Sequence, residues 1–221
     1  MAGLAARRSA VTSLRARARL HAGLSGAWTR QALVVRRPDS VRVDVLSPFG
    51  LVLALGVRDS FLWAYPAGEA TRYEGPATRA NVTRFLGAPL AVGDLVDILL
   101  GVPPARTAAR APTLETTRDG EYRLTLAADH RVQTIWFAGD TLTVRRAEEV
   151  EDGVVVLRIG FDDYQDGFPH RLEVGAPASG AAARLAYDQV EPNAAVDMAL
   201  FAPPAANRVL SLDAIGQPPA E

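Results

Sequence analysis

A strict two-residue alternation of apolar and polar side chains constrains this fold more than any other sequence feature. It is clearest near the N-terminus, where Leu14, Ala16, Ala18 and Leu20 alternate with three arginines and a histidine. Successive side chains of a β-strand point to opposite faces, so this pattern predicts a strand with one buried and one wet face. The arginine stripe is interpreted as that wet face rather than as a nucleic-acid surface.

The same period recurs along most of the chain and is interrupted by turn sequences. The SPFG tetrapeptide at 47–50 places proline and glycine where β-turns favour them, and Asp-Gly or Gly-Asp pairs begin at 119, 139 and 152. No helical crossover fits between neighbouring strands, which favours an antiparallel meander. Besides the N-terminal strand, the pattern predicts strands near 28–36, 40–46, 51–57, 61–65, 113–118, 121–127, 132–138, 141–147, 154–161, 170–174 and 184–190.

The middle of the chain changes to a helical period. Residues 80–86 and 92–100 repeat apolar side chains at helical spacing, and a glycine follows each segment. The sequence therefore predicts two short amphipathic helices between two blocks of strands, followed by a loop over 102–112. We expect a single, mainly β domain over 1–213 and a disordered tail over 214–221.

Composition excludes several functional classes. The formal net charge is -1, so the positive excess of a nucleic-acid-binding surface is missing. The chain has no cysteine, which excludes disulfides and thiolate metal sites. It has no run of eighteen apolar residues, and its first residues lack the apolar stretch of an export signal. Either the protein is cytoplasmic, or such a signal has been removed.

Motifs for catalysis or metal binding are weak. The segment 162–173 approaches a calcium-loop pattern, but Pro169 interrupts it and the flanks resemble strands. His21, His130 and His170 lack ligand spacing. No phosphate loop or nucleophile motif is present. The sequence therefore predicts no enzyme, no metal and no cofactor.

Four stretches carry a family resemblance through their order and spacing. They are RRPDSVRVDVLSPFGLVLALGVRDSFLWAYPAGEATRY at 36–73, ATRANVTRFLGAPLAVGDLVDILLGVPP at 77–104, FDDYQDGFPHRLEV at 161–174 and VDMALFAPP at 196–204. Together they resemble the LolA/LolB lipoprotein-carrier superfamily over nearly the whole chain. The SPFG turn and the helix pair are similar to LolB, whereas VDMALFAPP is similar to LolA. The first helix of the family is shortened or absent in this sequence.

The resemblance implies an incomplete antiparallel β-barrel, a curled sheet whose open mouth is covered by helices. Its apolar interior would bind acyl chains of lipoproteins or lipids for transport to, or insertion into, the outer membrane. The implied location is the periplasm, with tethering to the outer membrane by a lipid anchor that this sequence lacks. A periplasmic carrier or receptor is an implied partner, and we expect a monomer.

Two other functions on this fold stay open. One is a periplasmic sensor or protein-interaction domain that uses the sheet as its binding surface. The other is a structural envelope lipoprotein whose core is filled. An apolar ligand cavity would distinguish a carrier from the structural protein.

The resemblance also implies roles for individual residues. Phe49 and Pro48 match the protruding turn of LolB that assists insertion into the membrane; the alternative is a phenylalanine folded back onto the sheet edge. Arg37 matches the LolA arginine that holds the lid closed; the alternative is an exposed arginine at a strand end. Candidates for the acyl-chain cavity, each alternatively plain core, are Leu33, Val35, Val41, Val43, Val45, Trp63, Phe85, Leu95, Leu99 and Trp136.

Overall fold

The computed structural model describes residues 2–22, 26–86 and 90–214. Three α-helices lie in this part of the chain: α1 (Ala2–Ala10), α2 (Arg79–Leu86) and α3 (Val92–Leu99). The strands are β1 (Ser13–Ala22), β2 (Thr29–Arg36), β3 (Ser40–Ser47), β4 (Gly50–Arg58), β5 (Phe61–Pro66), β6 (Thr71–Pro76), β7 (Thr113–Thr116), β8 (Tyr122–Ala128), β9 (Arg131–Phe137), β10 (Val144–Glu151), β11 (Val154–Gln165), β12 (Phe168–Ala176), β13 (Ala181–Pro192) and β14 (Arg208–Ser211). Residues 215–221 of the predicted tail lie outside the described residues.

All fourteen strands belong to one curled sheet. Its order is β14-β6-β5-β4-β3-β2-β1-β13-β12-β11-β10-β9-β8-β7, so the two halves of the chain meet where β1 pairs with β13. The edge strands β14 and β7 do not pair with each other, and the barrel is therefore incomplete. The predicted fold class, a mainly β curled sheet with short helices, is confirmed.

The period-two alternation sets the two faces of the sheet. Leu14, Ala16 and Ala18 of β1 are buried, and the arginines between them face solvent. A face covered by helices must be apolar, while the opposite face of the same strand must be polar to stay in water. The burial pattern thus repeats what the alternation predicts.

Helix α3 covers the inner face of the sheet. Val96 and Ile98 are buried there. The helix ends at Leu99, and Gly101 follows with a φ of +78° and no room for a side chain. A Cβ at Gly101 would lie 2.7 Å from Cδ of Pro169. Glycine therefore both stops the helix and lets it approach the sheet closely.

Three elements were not predicted from the sequence. Helix α1 is nine residues long and alanine-rich, a composition that favours a helix. Strands β6 and β14 pair in parallel. Parallel pairing joins segments that are far apart in sequence, and it leaves no local turn signal. Among the described helices, none combines the length and apolar character needed to cross a bilayer.

Candidate functional site

A cavity of about 250 Å³ lies between α3 and the inner face of the sheet. Side chains from β1–β4, from β12 and β13, and from α3 form its walls. Thr29 and Gln31 are polar, and every other described lining residue is apolar. No charged side chain of the described chain lines the cavity. Such a space suits an uncharged hydrocarbon ligand, because an unpaired charge inside it would be strongly destabilised.

Five of the predicted cavity residues line this space. They are Leu33, Val43, Val45, Leu95 and Leu99. The three sheet residues lie on β2 and β3, and the two leucines of α3 face them from the opposite wall. The structure therefore brings the predicted strand and helix positions together around one cavity.

Val35 and Val41 belong to the core rather than to the cavity wall. Both are buried, and they pair with each other near the β2–β3 turn, next to the Leu33–Val43 pair that lines the cavity. Val35 also pairs with Leu14 of β1. These two valines correspond to the plain-core alternative. The side chain of Phe85, another predicted cavity residue, lies outside the described part of the structure.

The prediction that Trp63 lines the cavity is wrong, because Trp63 faces the opposite side of the sheet. It pairs across the sheet with Glu74 and Gly56, while its neighbours Leu62 and Ala64 face inward. The indole N–H donates to the carbonyl of Phe201, at an N···O distance of 3.0 Å. The 3-10 turn Met198–Phe201 covers the indole and explains its burial on an outer face.

Trp136 is also on the outer face, which overturns its predicted role. The guanidinium of Arg146 lies 4.6 Å from its ring centroid, in a cation–π contact. The neighbouring Ile135 is buried on the inner face instead. Alternation distinguishes two faces of a strand, but the size of an aromatic side chain does not tell which of them is concave.

Arg37 connects the β2–β3 turn to α3. Its side chain is 15% exposed, and it forms an ion pair with Asp97, whose side chain is 2% exposed. The Nε of Arg37 also donates to the carbonyl of Val11, at 3.0 Å. Arg8 of α1 forms a second ion pair with Asp97. We call the Arg8–Asp97–Arg37 cluster the latch, because it joins α1, α3 and the sheet at one buried carboxylate.

Sequence analysis missed Asp97, although the sequence contains a signal. Asp97 stands between Val96 and Ile98 within the apolar stretch of α3, where an acidic residue interrupts the pattern. A buried carboxylate needs a partner of opposite charge. The arginine at position 37 is therefore not an exposed strand-end residue.

A second ionic cluster joins the first turn of α3 to β10. Arg106 Nη1 and Nη2 donate to the two carboxylate oxygens of Asp94 at 2.7 and 2.8 Å, and its Nε lies 2.9 Å from Oε1 of Glu149. Burial lowers the pKa of Arg106, but its contacts with Asp94 and Glu149 outweigh burial and raise this pKa above its ordinary value. The guanidinium is thus permanently charged and holds the helix to the sheet.

Tyr187 of β13 forms a hydrogen bond with the C-terminal end of α3. Its hydroxyl donates to the carbonyl of Leu99 at 2.9 Å. Burial raises the pKa of Tyr187. The hydroxyl therefore stays neutral at physiological pH and keeps its proton for this hydrogen bond.

The β3–β4 turn presents Phe49 to solvent. The Phe49 side chain is 100% exposed, so it does not fold back onto the sheet. The backbone N–H of Phe49 donates to the Ser47 hydroxyl, which itself donates to the Gly50 carbonyl. Pro48 lies at the same turn. The nearby apolar residues with exposed side chains are Leu46, Leu51 and Val52.

Solved structures share this architecture. A LolA superfamily protein from Nitrosomonas europaea matches with a TM-score of 0.61 at 14% identity, over 91% of this chain and 97% of that one. A domain assigned to outer-membrane lipoprotein sorting in Vibrio parahaemolyticus matches with a TM-score of 0.62 at 12% identity, over 90% and 93% of the two chains. The chain has the LolA fold. No protein-family model and no curated protein matches its sequence.

A third similar structure is not described as a LolA or lipoprotein-sorting protein. A DUF1329 family protein from Desulfovibrio piger matches with a TM-score of 0.58 at 14% identity, over 90% of this chain and 95% of that one. At such identities the matches show the LolA fold alone. The nature of a ligand therefore depends on the residues of this chain.

Proposed function

We propose that this protein binds the acyl chains of lipoproteins or lipids in the cavity beneath α3, for transport to or insertion into the outer membrane. The observation on which the proposal rests is the cavity itself, an apolar space without charged walls on the inner face of a LolA fold. We also infer that the protein acts by binding and release rather than by catalysis.

Hydrocarbon burial is sufficient to hold such a ligand. An acyl chain of about sixteen carbons provides on the order of 10 kcal/mol at about 0.8 kcal/mol per methylene. The cavity, at about 250 Å³, is smaller than the roughly 300–1,000 Å³ typical of ligand pockets. A whole chain therefore enters only if α3 moves away from the sheet. The latch at Asp97 opposes that movement and favours release.

The turn at Phe49 supports a transient contact with a membrane. Burying one large apolar side chain contributes about 1.5–3 kcal/mol, which is too little to anchor a protein but enough for a brief encounter. Leu46, Leu51 and Val52 enlarge the apolar surface next to Phe49. We propose that this surface contacts the outer membrane from the periplasm. The proposed partners are acylated proteins, together with a periplasmic carrier or receptor.

Native mass spectrometry of the purified protein tests the proposal. The protein is measured before and after addition of a triacylated lipopeptide, and the same peptide without acyl chains is the control. We expect a one-to-one complex with the acylated peptide alone. A folded sample that binds neither peptide would contradict the carrier function. Binding of both peptides equally would favour the protein-interaction alternative.

A further inference from the structure

Gln31 is a buried amide in the wall of the apolar cavity. It lies on β2, its side chain is buried, and it is one of the two polar residues that line this space. No group of the described chain donates to its Oε1. An acceptor without a partner in a low-dielectric site is destabilising by about 1–3 kcal/mol. The position of this oxygen therefore needs an explanation.

Neighbouring hydrogen bonds fix the orientation of this amide. Nε2 of Gln31 donates to the Thr29 hydroxyl at 2.8 Å, and that hydroxyl donates to the Leu20 carbonyl at 3.2 Å. With the Thr29 proton on Leu20, the Thr29 oxygen accepts from Nε2 of Gln31. In this arrangement the amide nitrogen has its partner. The chain of donors thus leaves Oε1 of Gln31 as the group that is free to accept.

The surroundings of Oε1 restrict what can donate to it. The remaining described walls are apolar apart from Thr29, and none is charged. An ammonium group would enter without a compensating carboxylate, so it would be strongly disfavoured. A carboxylate or an ester has no proton to donate. The matching ligand group is a neutral N–H or O–H at the head of a hydrocarbon chain.

We propose that Gln31 Oε1 accepts a hydrogen bond from a neutral donor next to the acyl chain of the ligand, either an amide N–H or a hydroxyl. This inference rests on the proposed function and adds selectivity to it. The hydrocarbon supplies the affinity of binding, and the Gln31 oxygen discriminates acyl amides and long-chain alcohols from ligands without a donor. The amide N–H of an N-acylated amine is such a group.

Gln133 is a second buried amide, and it lies outside the cavity beneath α3. Gln133 Nε2 donates to the Pro104 carbonyl at 2.8 Å and contacts Oε1 of Glu149 at 3.3 Å. Its amide joins the 102–112 segment to β9 and β10. Oε1 of Gln133 also lacks a donor, but Gln133 does not line the apolar cavity beneath α3. It therefore provides a matched control for a buried glutamine outside the cavity.

The test uses pairs of ligands in which a methyl group on one member replaces the hydrogen-bonding proton of the other. Binding of N-methyldodecanamide is compared with that of N,N-dimethyldodecanamide, and binding of 1-dodecanol with that of 1-methoxydodecane. Each is measured by displacement of a fluorescent apolar probe from the wild type, from Gln31→Met and from Gln133→Met. Methionine keeps the length of the side chain and removes the acceptor. Thermal unfolding reports whether each variant is folded.

In at least one pair, we expect the wild type and Gln133→Met to bind the ligand with the N–H or O–H about tenfold more tightly than its methylated partner. This ratio should fall to about one in Gln31→Met. The amide pair and the alcohol pair separately identify which donor is recognised. If the ratio persists in Gln31→Met, the extra methyl group acts by size and the inference is wrong.

A separate outcome distinguishes this inference from the proposed function. If the triacylated lipopeptide binds but neither pair is discriminated by the wild type, the carrier function stands and the role of Gln31 is refuted. If Gln31→Met is unfolded, Gln31→Leu gives the same comparison with a shorter apolar side chain. Absence of binding by the lipopeptide and by all four small ligands would refute both proposals.

Discussion

Two parts of the inner face of the sheet are covered in different ways. Against β8 and β9, α1 and the segment after α3 leave a cavity of only about 150 Å³, and polar side chains such as Gln133 bond directly to the covering segment. Against β2 and β3, α3 contributes mainly leucines and leaves a larger cavity. Hydrogen bonds and ion pairs hold a covering segment in one geometry. Apolar contacts are non-directional, so an apolar ligand can replace them. This difference is why we propose structural support for the first region and ligand binding for the second.

The largest effect is expected at the latch, which lies between the two regions. Asp97→Ala leaves the buried Arg37 without its carboxylate partner, and removing one member of a buried pair costs about 3–5 kcal/mol. The free energy of unfolding is measured by urea denaturation. Asp188→Ala is the control, because its ion pair with Arg19 is exposed on both sides. A surface pair contributes about 0–1 kcal/mol. Equal losses in the two variants would show that the latch is not a buried ion pair.

The next comparison separates the two regions by packing. Ile135→Ala removes a fully buried side chain of β9, and we expect it to destabilise the protein by about 2–5 kcal/mol without weakening acyl binding. Val45→Phe adds volume at a cavity wall rather than in the packed core, so it should cost no more than the roughly 1–3 kcal/mol of overpacking and should abolish one-to-one binding of the triacylated lipopeptide. Denaturation and native mass spectrometry give the two readouts. Loss of binding in Ile135→Ala, or full binding in Val45→Phe, would reverse the assignment of the regions.

Most of the fold was predictable because one buried face imposes alternation on each strand. The pattern around Leu14 and the turn sequences therefore predicted the meander and its antiparallel pairing. Helix α3 was predicted within one residue at its end, since its apolar spacing and Gly101 are local signals. The pairing of β14 with β6 was missed, because a parallel contact between distant segments has no local signature.

The site was predicted less completely, for a related reason. The alternation places Trp63 on the same face of the sheet as Arg42 and Gly56. It does not tell whether this face or the opposite one faces the cavity. That depends on the Met198–Phe201 turn, which covers the outer face from far along the chain. Gln31 and Asp97 were missed because a single polar residue in an apolar pattern resembles ordinary variation. Only the structure places each of them beside its partners.

A smaller effect is expected where the sheet supports the end of α3. Tyr187→Phe removes the hydroxyl that donates to Leu99, and we expect a loss of about 1 kcal/mol. Because the folded-state pKa of Tyr187 is raised, this contribution is fully present below pH 10 and is lost as the pH rises above it. The difference in unfolding free energy between wild type and variant should therefore shrink at high pH. A difference that does not change with pH would mean that Tyr187 ionises as readily in the fold as in the unfolded chain.

The smallest effect on stability, and a selective effect on function, is expected at the β3–β4 turn. Phe49 makes no buried contact, so Phe49→Glu should change the free energy of unfolding by less than about 0.5 kcal/mol. Transfer of the bound lipopeptide to lipid vesicles should nevertheless slow, because the glutamate cannot enter the membrane interface. Leu142→Glu is the matched control, since Leu142 is also an exposed apolar residue but precedes β10 in the other half of the sheet. Equal slowing by both variants would indicate a general charge effect and not an insertion surface at Phe49. Slowing by Phe49→Glu alone would place the membrane contact on the same half of the sheet as the cavity walls of β2 and β3.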